Sequence, residues 1–269
     1  MNFTDKYKAI AKKNNSFLCV GLDTDINKIP EHLKKLDDPV FDFNKNIIDA
    51  TKDLVCAYKP NLAFYEAIGE KGISSLKKTI EYIPKDIPII LDAKRGDIGN
   101  TASMYAKFIF EELNGDAVTV NPYMGYDSVE PFLRYKDKGV IALCLTSNSG
   151  SKDFQYFTSE GVHLYEKVMQ KFVEWKNKGA SQLCAVVGAT HPDELKKLRE
   201  IASDIIFLIP GIGTQGGDVE KVVKNSNVSD YLGIINVSRK IIFASDGKDF
   251  ANKARESAIN YKEMINSFI

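Results

Sequence analysis

The sequence predicts an α/β fold: a (β/α)8 TIM barrel with an extra N-terminal helix, occupying residues 1–269 as one domain. Three observations lead there. Eight short apolar runs alternate with segments of helical or mixed character, the pattern of a parallel sheet. Eight such units fit a chain of 269 residues, the usual size of a closed α/β barrel. The first run stops at Asp23-Thr24-Asp25, whereas an open doubly wound sheet would carry a Gly-rich turn there.

Taken in order, Phe3 to Asn14 has the spacing of a short amphipathic helix through Tyr7, Ile10 and Ala11. The first strand is Phe17–Leu22, followed by a polar connection over 27–38 and a helix from Phe41 to Leu54. The second strand is Val55–Tyr58, ending at Lys59-Pro60-Asn61, with a helix through Ile73, Leu76 and Ile80. The third is the run from Ile87 to Leu91, with its helix over 100–113 and Asn100 or Thr101 as candidate caps. Ala117–Val120 ends at Asn121-Pro122-Tyr123, and Val140–Leu145 ends at Thr146-Ser147-Asn148. Residues 151–158 read as loop before a helix running to about Lys176. Leu183–Val187 ends at Gly188-Ala189-Thr190, and a helix starts near His191-Pro192. Ile205–Ile209 ends in a Gly-rich stretch, and Leu232–Asn236 ends at Val237-Ser238-Arg239. Phe250 to Phe268 closes the chain as a helix.

Composition narrows the function classes. Lys plus Arg and Asp plus Glu are 36 each, so no overall field recruits nucleic acid or a membrane surface. An anion must be held by a local cluster. No run of 18 apolar residues exists, and the charged N-terminus lacks a signal-peptide core. Cys19, Cys56, Cys144 and Cys184 lie far apart in apolar runs, without CxxC spacing, and read as reduced core residues. A cytoplasmic location fits all of this.

The third strand carries the chemistry. Ile87-Pro88-Ile89-Ile90-Leu91 changes within one residue to Asp92-Ala93-Lys94-Arg95-Gly96-Asp97. Asp92 and Lys94, two apart, share one face of the strand. Burying them is costly unless they satisfy each other, which marks a candidate site. The C-terminal strand ends of a barrel converge on one mouth. Asp23, Lys59, Asp92, Lys94, Asp97, Asn121, Thr146, Gln215 and Arg239 would meet there. Asp97 by itself reads as a helix cap. Around the seventh strand end, Gly211, Gly213, Gly216 and Gly217 let the backbone approach an anion, with Gln215 alongside. Ser238 and Arg239 follow the eighth strand, and together these form a candidate phosphate grip; alone, the loop would be an ordinary flexible segment. His32, His163 and His191 are scattered and none sits at a strand end, although His191 lies close to one, so a histidine base or metal triad is disfavoured. Ser147 lacks a G-x-S-x-G context. Trp175 and the Lys196-Lys197 and Lys224 positions read as packing and solvated helix faces.

The stretch Leu91-Asp92-Ala93-Lys94-Arg95-Gly96-Asp97-Ile98-Gly99-Asn100-Thr101 resembles the signature of the orotidine 5′-phosphate decarboxylase family. With Lys59-Pro60-Asn61 and Asn121-Pro122-Tyr123, it is similar to the longer subfamily of bacteria and protozoa. The resemblance runs from Asp23 to Arg239. It implies conversion of orotidine 5′-phosphate to UMP and CO2 without a cofactor. Lys59, Asp92, Lys94 and Asp97 would form an alternating charge network, with Lys94 stabilising and protonating the C6 carbanion. It further implies a homodimer in which Asp97 and Thr101 reach the partner's site. Asp23 would contact the ribose and Thr146 the pyrimidine, with Ser147 as the competing position; Gln215 and Arg239 would hold the phosphate. Asn121, Gly213 and Ser238 complete the expected binding residues. The main alternative is a Mg-dependent sugar-phosphate decarboxylase or aldolase sharing the Asp-x-Lys-x-x-Asp strand end. A silent phosphate-binding barrel leaves four buried charges without use, and a Schiff-base lysine conflicts with the flanking aspartates.

Overall fold

The computed structural model describes residues 1–190, 192–212 and 219–269. Eight parallel strands form one sheet: β1 (Leu18–Leu22), β2 (Ala57–Pro60), β3 (Ile90–Arg95), β4 (Ala117–Val120), β5 (Gly139–Leu145), β6 (Leu183–Val187), β7 (Phe207–Pro210) and β8 (Gly233–Val237). Their order is β2-β1-β8-β7-β6-β5-β4-β3. Isolated parallel bridges at Tyr58–Ile89 and Asn61–Asp92 join β2 to β3, so the sheet closes on itself. The strands are almost wholly buried because side chains fill the interior while helices cover the outside.

The N-terminal helix (Phe3–Asn14) lies across the floor of the barrel. The Tyr7 hydroxyl donates to Gly233 O at 2.6 Å, Lys6 pairs with Asp116 at 2.7 Å, and the Thr4 N–H and hydroxyl both donate to Gln182 Oε1. Each of these partners stands at or just before the start of a strand. The helix therefore seals the end opposite the mouth, where polar strand starts would otherwise meet water.

Several boundaries depart from the pattern read in the sequence. The second strand lies at Ala57–Pro60, because its ladder with β1 continues through Gly21–Lys59 and Leu22–Pro60. Proline tolerates this last position, where its missing N–H costs least. β3 likewise runs on through Asp92, Lys94 and Arg95. Its helix begins at Gly99, with φ +55°, and neither Asn100 nor Thr101 caps it; Ile98 holds the cap position without a side-chain bond. Residues 151–163 are not plain loop. They form a short helix (Ser151–Phe154) and a two-stranded hairpin, Thr158–Ser159 against Val162–His163, before the helix Leu164–Asn177. Lys197 is not purely solvated, because its ammonium pairs with the buried Glu166 at 2.9 Å. All four cysteines are buried and free, and Trp175 packs between Tyr126 and Phe172.

Candidate active site

At the mouth, Asp92 is bridged between two lysines. Its Oδ2 accepts from Lys59 Nζ at 2.8 Å and its Oδ1 from Lys94 Nζ at 2.6 Å. The Thr119 hydroxyl adds a third donor to Oδ1, at 2.8 Å. Burial pushes the Asp92 carboxyl toward the neutral form, but Lys59 and Lys94 together outweigh it and hold its pKa well below the usual carboxylate range. The same balance acts on Lys59, whose side chain is only 4% exposed. Burial alone would neutralise it; the carboxylates of Asp92 and, at 3.9 Å, Asp23 keep it charged, well above an ordinary lysine. Lys94 differs, with its side chain 51% exposed. Of the two ammoniums, it is the one a ligand can reach.

The backbone that presents Lys94 is unusual. Lys94 sits at φ +45°, a region non-glycine residues occupy at a cost of order 1 kcal/mol. The register between β3 and β4 slips between Leu91 and Arg95, leaving the N–H groups of Ala93 and Lys94 without ladder partners. Thr119 on β4 takes both, each donating to its Oγ1 at 3.0 Å. One buried hydroxyl thus repairs the bulge and orients Asp92. Sequence reasoning passed over Thr119; its signal was a single polar side chain inside the apolar run Ala117–Val120.

The other expected residues divide. Asp23 joins the cluster, and its buried Oδ1 accepts no hydrogen bond among the described residues. Asp97 does not join within this chain. Its Oδ1 accepts from the next residue, Ile98 N, at 2.8 Å, so it caps no helix, and it makes no ion pair among the described residues. Thr101 is exposed in the first turn of the helix Gly99–Lys107. Asn121 follows β4, and its Oδ1 accepts from Tyr123 N at 3.1 Å, closing the next turn. Thr146 follows β5 with its N–H and hydroxyl both engaged by Gln155 at 2.8 Å, a residue the sequence reading missed. Ser147 is half-buried and lies where a Cβ on Gly188 would strike it, 2.9 Å away. The Ser238 hydroxyl donates to Gly21 O at 3.1 Å, tying β8 to β1; a Cβ on Gly21 would come within 2.6 Å of Ser238 Cβ. Arg239 is exposed at the start of the turn Arg239–Ile242. Gly213 and Gln215 lie outside the described residues, as does His191.

Residues 16–254 match the family model described as "Orotidine 5'-phosphate decarboxylase / HUMPS family". The chain belongs to this family. An orotidine 5′-phosphate decarboxylase of Flavobacterium johnsoniae is 52% identical over 261 residues, covering 96% of this chain and 94% of that protein. Among solved structures, Leishmania donovani OMP decarboxylase aligns with TM-score 0.87 and 38% identity, over 100% of this chain and 99% of that one. Leishmania donovani UMP synthase aligns with TM-score 0.88 and 39% identity over the whole of this chain, which spans 56% of that longer protein. The lysine–aspartate–lysine bridge at the mouth of this barrel brings together three of the four charged residues expected from the sequence, Lys59, Asp92 and Lys94.

Proposed function

We propose that the chain, acting as a single barrel domain over residues 1–269, decarboxylates orotidine 5′-phosphate to UMP and CO2. The observation that carries this reading is the Asp92 carboxylate held ionised between Lys59 and Lys94 at the mouth, with only Lys94 accessible. The similar proteins named as orotidine 5′-phosphate decarboxylases support the substrate. The substrate in the names of the similar proteins above, orotidine 5′-phosphate, gives no support to the Mg-dependent sugar-phosphate alternative.

The chemistry follows from the charges. Breaking the bond between C6 and the carboxylate leaves an electron pair on C6, with no carbonyl placed to take it as an enolate. The Lys94 ammonium stabilises that pair as it forms and then transfers a proton from Nζ to C6. Asp92 lies beside the carboxylate that departs. Thr119 and Lys59 fix Asp92, and through it Lys94, so that little reorganisation remains at the moment of reaction. Asp23, with its open acceptor, takes a ribose hydroxyl. Arg239, Gly213 and Gln215 hold the phosphate, aided by Ser238, while Asn121 and Thr146, or Ser147 beside it, flank the base. Binding energy gained at the remote phosphate offsets the desolvation of the reacting carbon. The lysine supplies both cation and proton, so the step needs no cofactor.

We also propose a homodimer. Asp97 makes no ion pair among the described residues, and exposed Ile98, Met104, Tyr123, Met124 and Tyr126 stand on the same and neighbouring segments, an apolar surface suited to a second copy. Asp97 and Thr101 then enter the partner's site and complete its charge alternation. The location is the cytoplasm, in keeping with four free buried thiols; no helix among the described residues is long and apolar enough to cross a membrane.

The test is a spectrophotometric assay with orotidine 5′-phosphate, with and without EDTA. Loss of the orotate absorbance at an EDTA-independent rate supports the reading. No turnover, or turnover abolished by EDTA, refutes it.

A further inference from the structure

Behind the end of β1 lies a second polar cluster, one that the proposed reaction does not use. Asn44 on the helix Pro39–Thr51, Tyr65 on the helix Leu62–Glu66 and Thr79 on the helix Glu70–Tyr82 are fully buried, and Thr24 nearly so. Main-chain carbonyls fix which way its hydrogens run. A carbonyl only accepts, so the Tyr65 hydroxyl donates to Leu22 O at 3.0 Å and the Thr79 hydroxyl to Ser75 O at 2.8 Å. Both hydroxyl oxygens then act as acceptors toward Asn44, whose NH2 group donates to each at 3.0 Å. That orientation leaves Asn44 Oδ1 to accept the Thr24 hydroxyl hydrogen at 2.6 Å. The place demands one acceptor and two donors, a set that an asparagine amide offers and a carboxylate or an apolar side chain does not.

The cluster grips the chain on both sides of Asp23. Leu22 ends β1, and its carbonyl is held by Tyr65. Thr24 is the first residue beyond Asp23, and its hydroxyl is held by Asn44. The two grips meet at the Asn44 amide, and Asp23 is the one residue between them. Its buried Oδ1 accepts no hydrogen bond among the described residues and stands 3.9 Å from Lys59 Nζ. An acceptor of this kind serves a ligand only if it is held in place, because a hydrogen bond of about 2.8 Å is lost by roughly 3.6 Å. A short side chain such as aspartate has little reach of its own, so its backbone sets its aim.

We propose that Asn44 is a positioning residue that, through Thr24 and Tyr65, aims Asp23 at a ribose hydroxyl of the nucleotide. This rests on the reading above that Asp23 takes that hydroxyl. Asn44 is fully buried and out of a ligand's reach, so it acts only through the backbone on either side of Asp23. A hydrogen bond to a charged acceptor is stronger than one between neutral groups. The affinity contributed by that single hydroxyl is therefore what the cluster controls.

The experiment is calorimetric binding of UMP, 2′-deoxy-UMP and 3′-deoxy-UMP to the full chain and its variants. Wild type binds at least one deoxy analogue about tenfold or more weakly than UMP. In Asp23→Ala one such penalty disappears, which identifies the hydroxyl that Asp23 holds. Thr24→Val and Tyr65→Phe each remove one grip while keeping the packing. Both shrink that same penalty to about threefold or less, while affinity for the analogue lacking that hydroxyl stays within about twofold of wild type. Thr24→Ser keeps the hydroxyl and keeps the wild-type penalty. Asn44→Leu releases both grips and abolishes the penalty; should it not fold, the two near-isosteric variants carry the test. A wild-type penalty in either Thr24→Val or Tyr65→Phe overturns the proposal. So does an equal loss of affinity for all three nucleotides, the mark of a merely structural role. If Asp23→Ala leaves every penalty as in wild type, the ribose reading fails, and the proposal with it. If Asp23→Ala removes a penalty that Thr24→Val and Tyr65→Phe leave intact, only the role of Asn44 fails.

Discussion

Replacing Asp92 by Asn removes the one charge that both lysines share. The amide oxygen of the substituted side chain can accept from one ammonium, but its nitrogen must then face the other, donor against donor, where the carboxylate now accepts at 2.8 and 2.6 Å. Lys59 suffers most. Its side chain is 4% exposed and its remaining carboxylate, Asp23, stands 3.9 Å away. Leaving a buried charge without its partner costs about 3–5 kcal/mol. At about 2 °C per kcal/mol for a chain of this size, the Tm of Asp92→Asn should fall by roughly 6–10 °C at pH 7. The pH dependence has a definite sign. The Asp92 pKa is depressed in the folded protein, so its contribution is complete above about pH 5 and is lost as pH falls below the unfolded value of about 4. That of Lys59 is raised, so its contribution is present below the unfolded value of about 10.4 and fades as pH rises beyond it. The Tm gap between wild type and variant is therefore widest between about pH 5 and pH 10 and narrows on the acid side. Scanning calorimetry over pH 3–10 measures it. An unchanged or higher Tm for Asp92→Asn at pH 7 would refute the claim that Asp92 is what keeps Lys59 buried and charged.

Further outcomes follow from the same geometry. Thr119→Val preserves shape but leaves two backbone N–H groups and one carboxylate oxygen short of a partner; stability to urea should fall by about 2–4 kcal/mol, and kcat should fall with it. Lys94→Gly relieves the φ +45° backbone and should melt above Lys94→Ala by about 1 kcal/mol equivalent, although both lack the ammonium. Tyr7→Phe, at the barrel floor, should cost about 1–2 kcal/mol of stability through the lost bond to Gly233 O, with KM and kcat unchanged. Co-expressing Lys94→Ala with Asp97→Asn chains should restore about a quarter of wild-type activity, because each mixed dimer keeps one intact site when Asp97 acts across the interface; no recovery would place Asp97 in its own chain's site.

The barrel was legible because alternation between period-2 and period-3.6 patterns repeats eight times, and because strand ends converge in any closed parallel barrel. The charge cluster was legible for the same reason: Lys59, Asp92 and Lys94 break apolar runs at the same end. Three things escaped. Thr119 escaped because a threonine in a strand is ordinary, and only the bulge at Lys94 gives it work. Gln155 escaped because its stretch has loop composition, while its role depends on a tertiary contact with Thr146 nine residues earlier. The cap roles considered for Asp97, Asn100 and Thr101 failed because the helix begins at a left-handed glycine and needs none of them. The strand boundaries at Lys59 and Asp92 shifted because ladder hydrogen bonds, unlike hydrophobicity, continue through charged residues.

The proposed mechanism depends above all on Lys94 as the cation and proton donor at C6. The direct measurement is turnover of orotidine 5′-phosphate by Lys94→Ala, alongside binding of UMP to the same variant. Losing both the electrostatic and the proton-transfer contribution should lower kcat by about 10⁴-fold or more, while UMP still binds through its phosphate, ribose and base contacts. Turnover near the wild-type rate in a variant that binds UMP would contradict it.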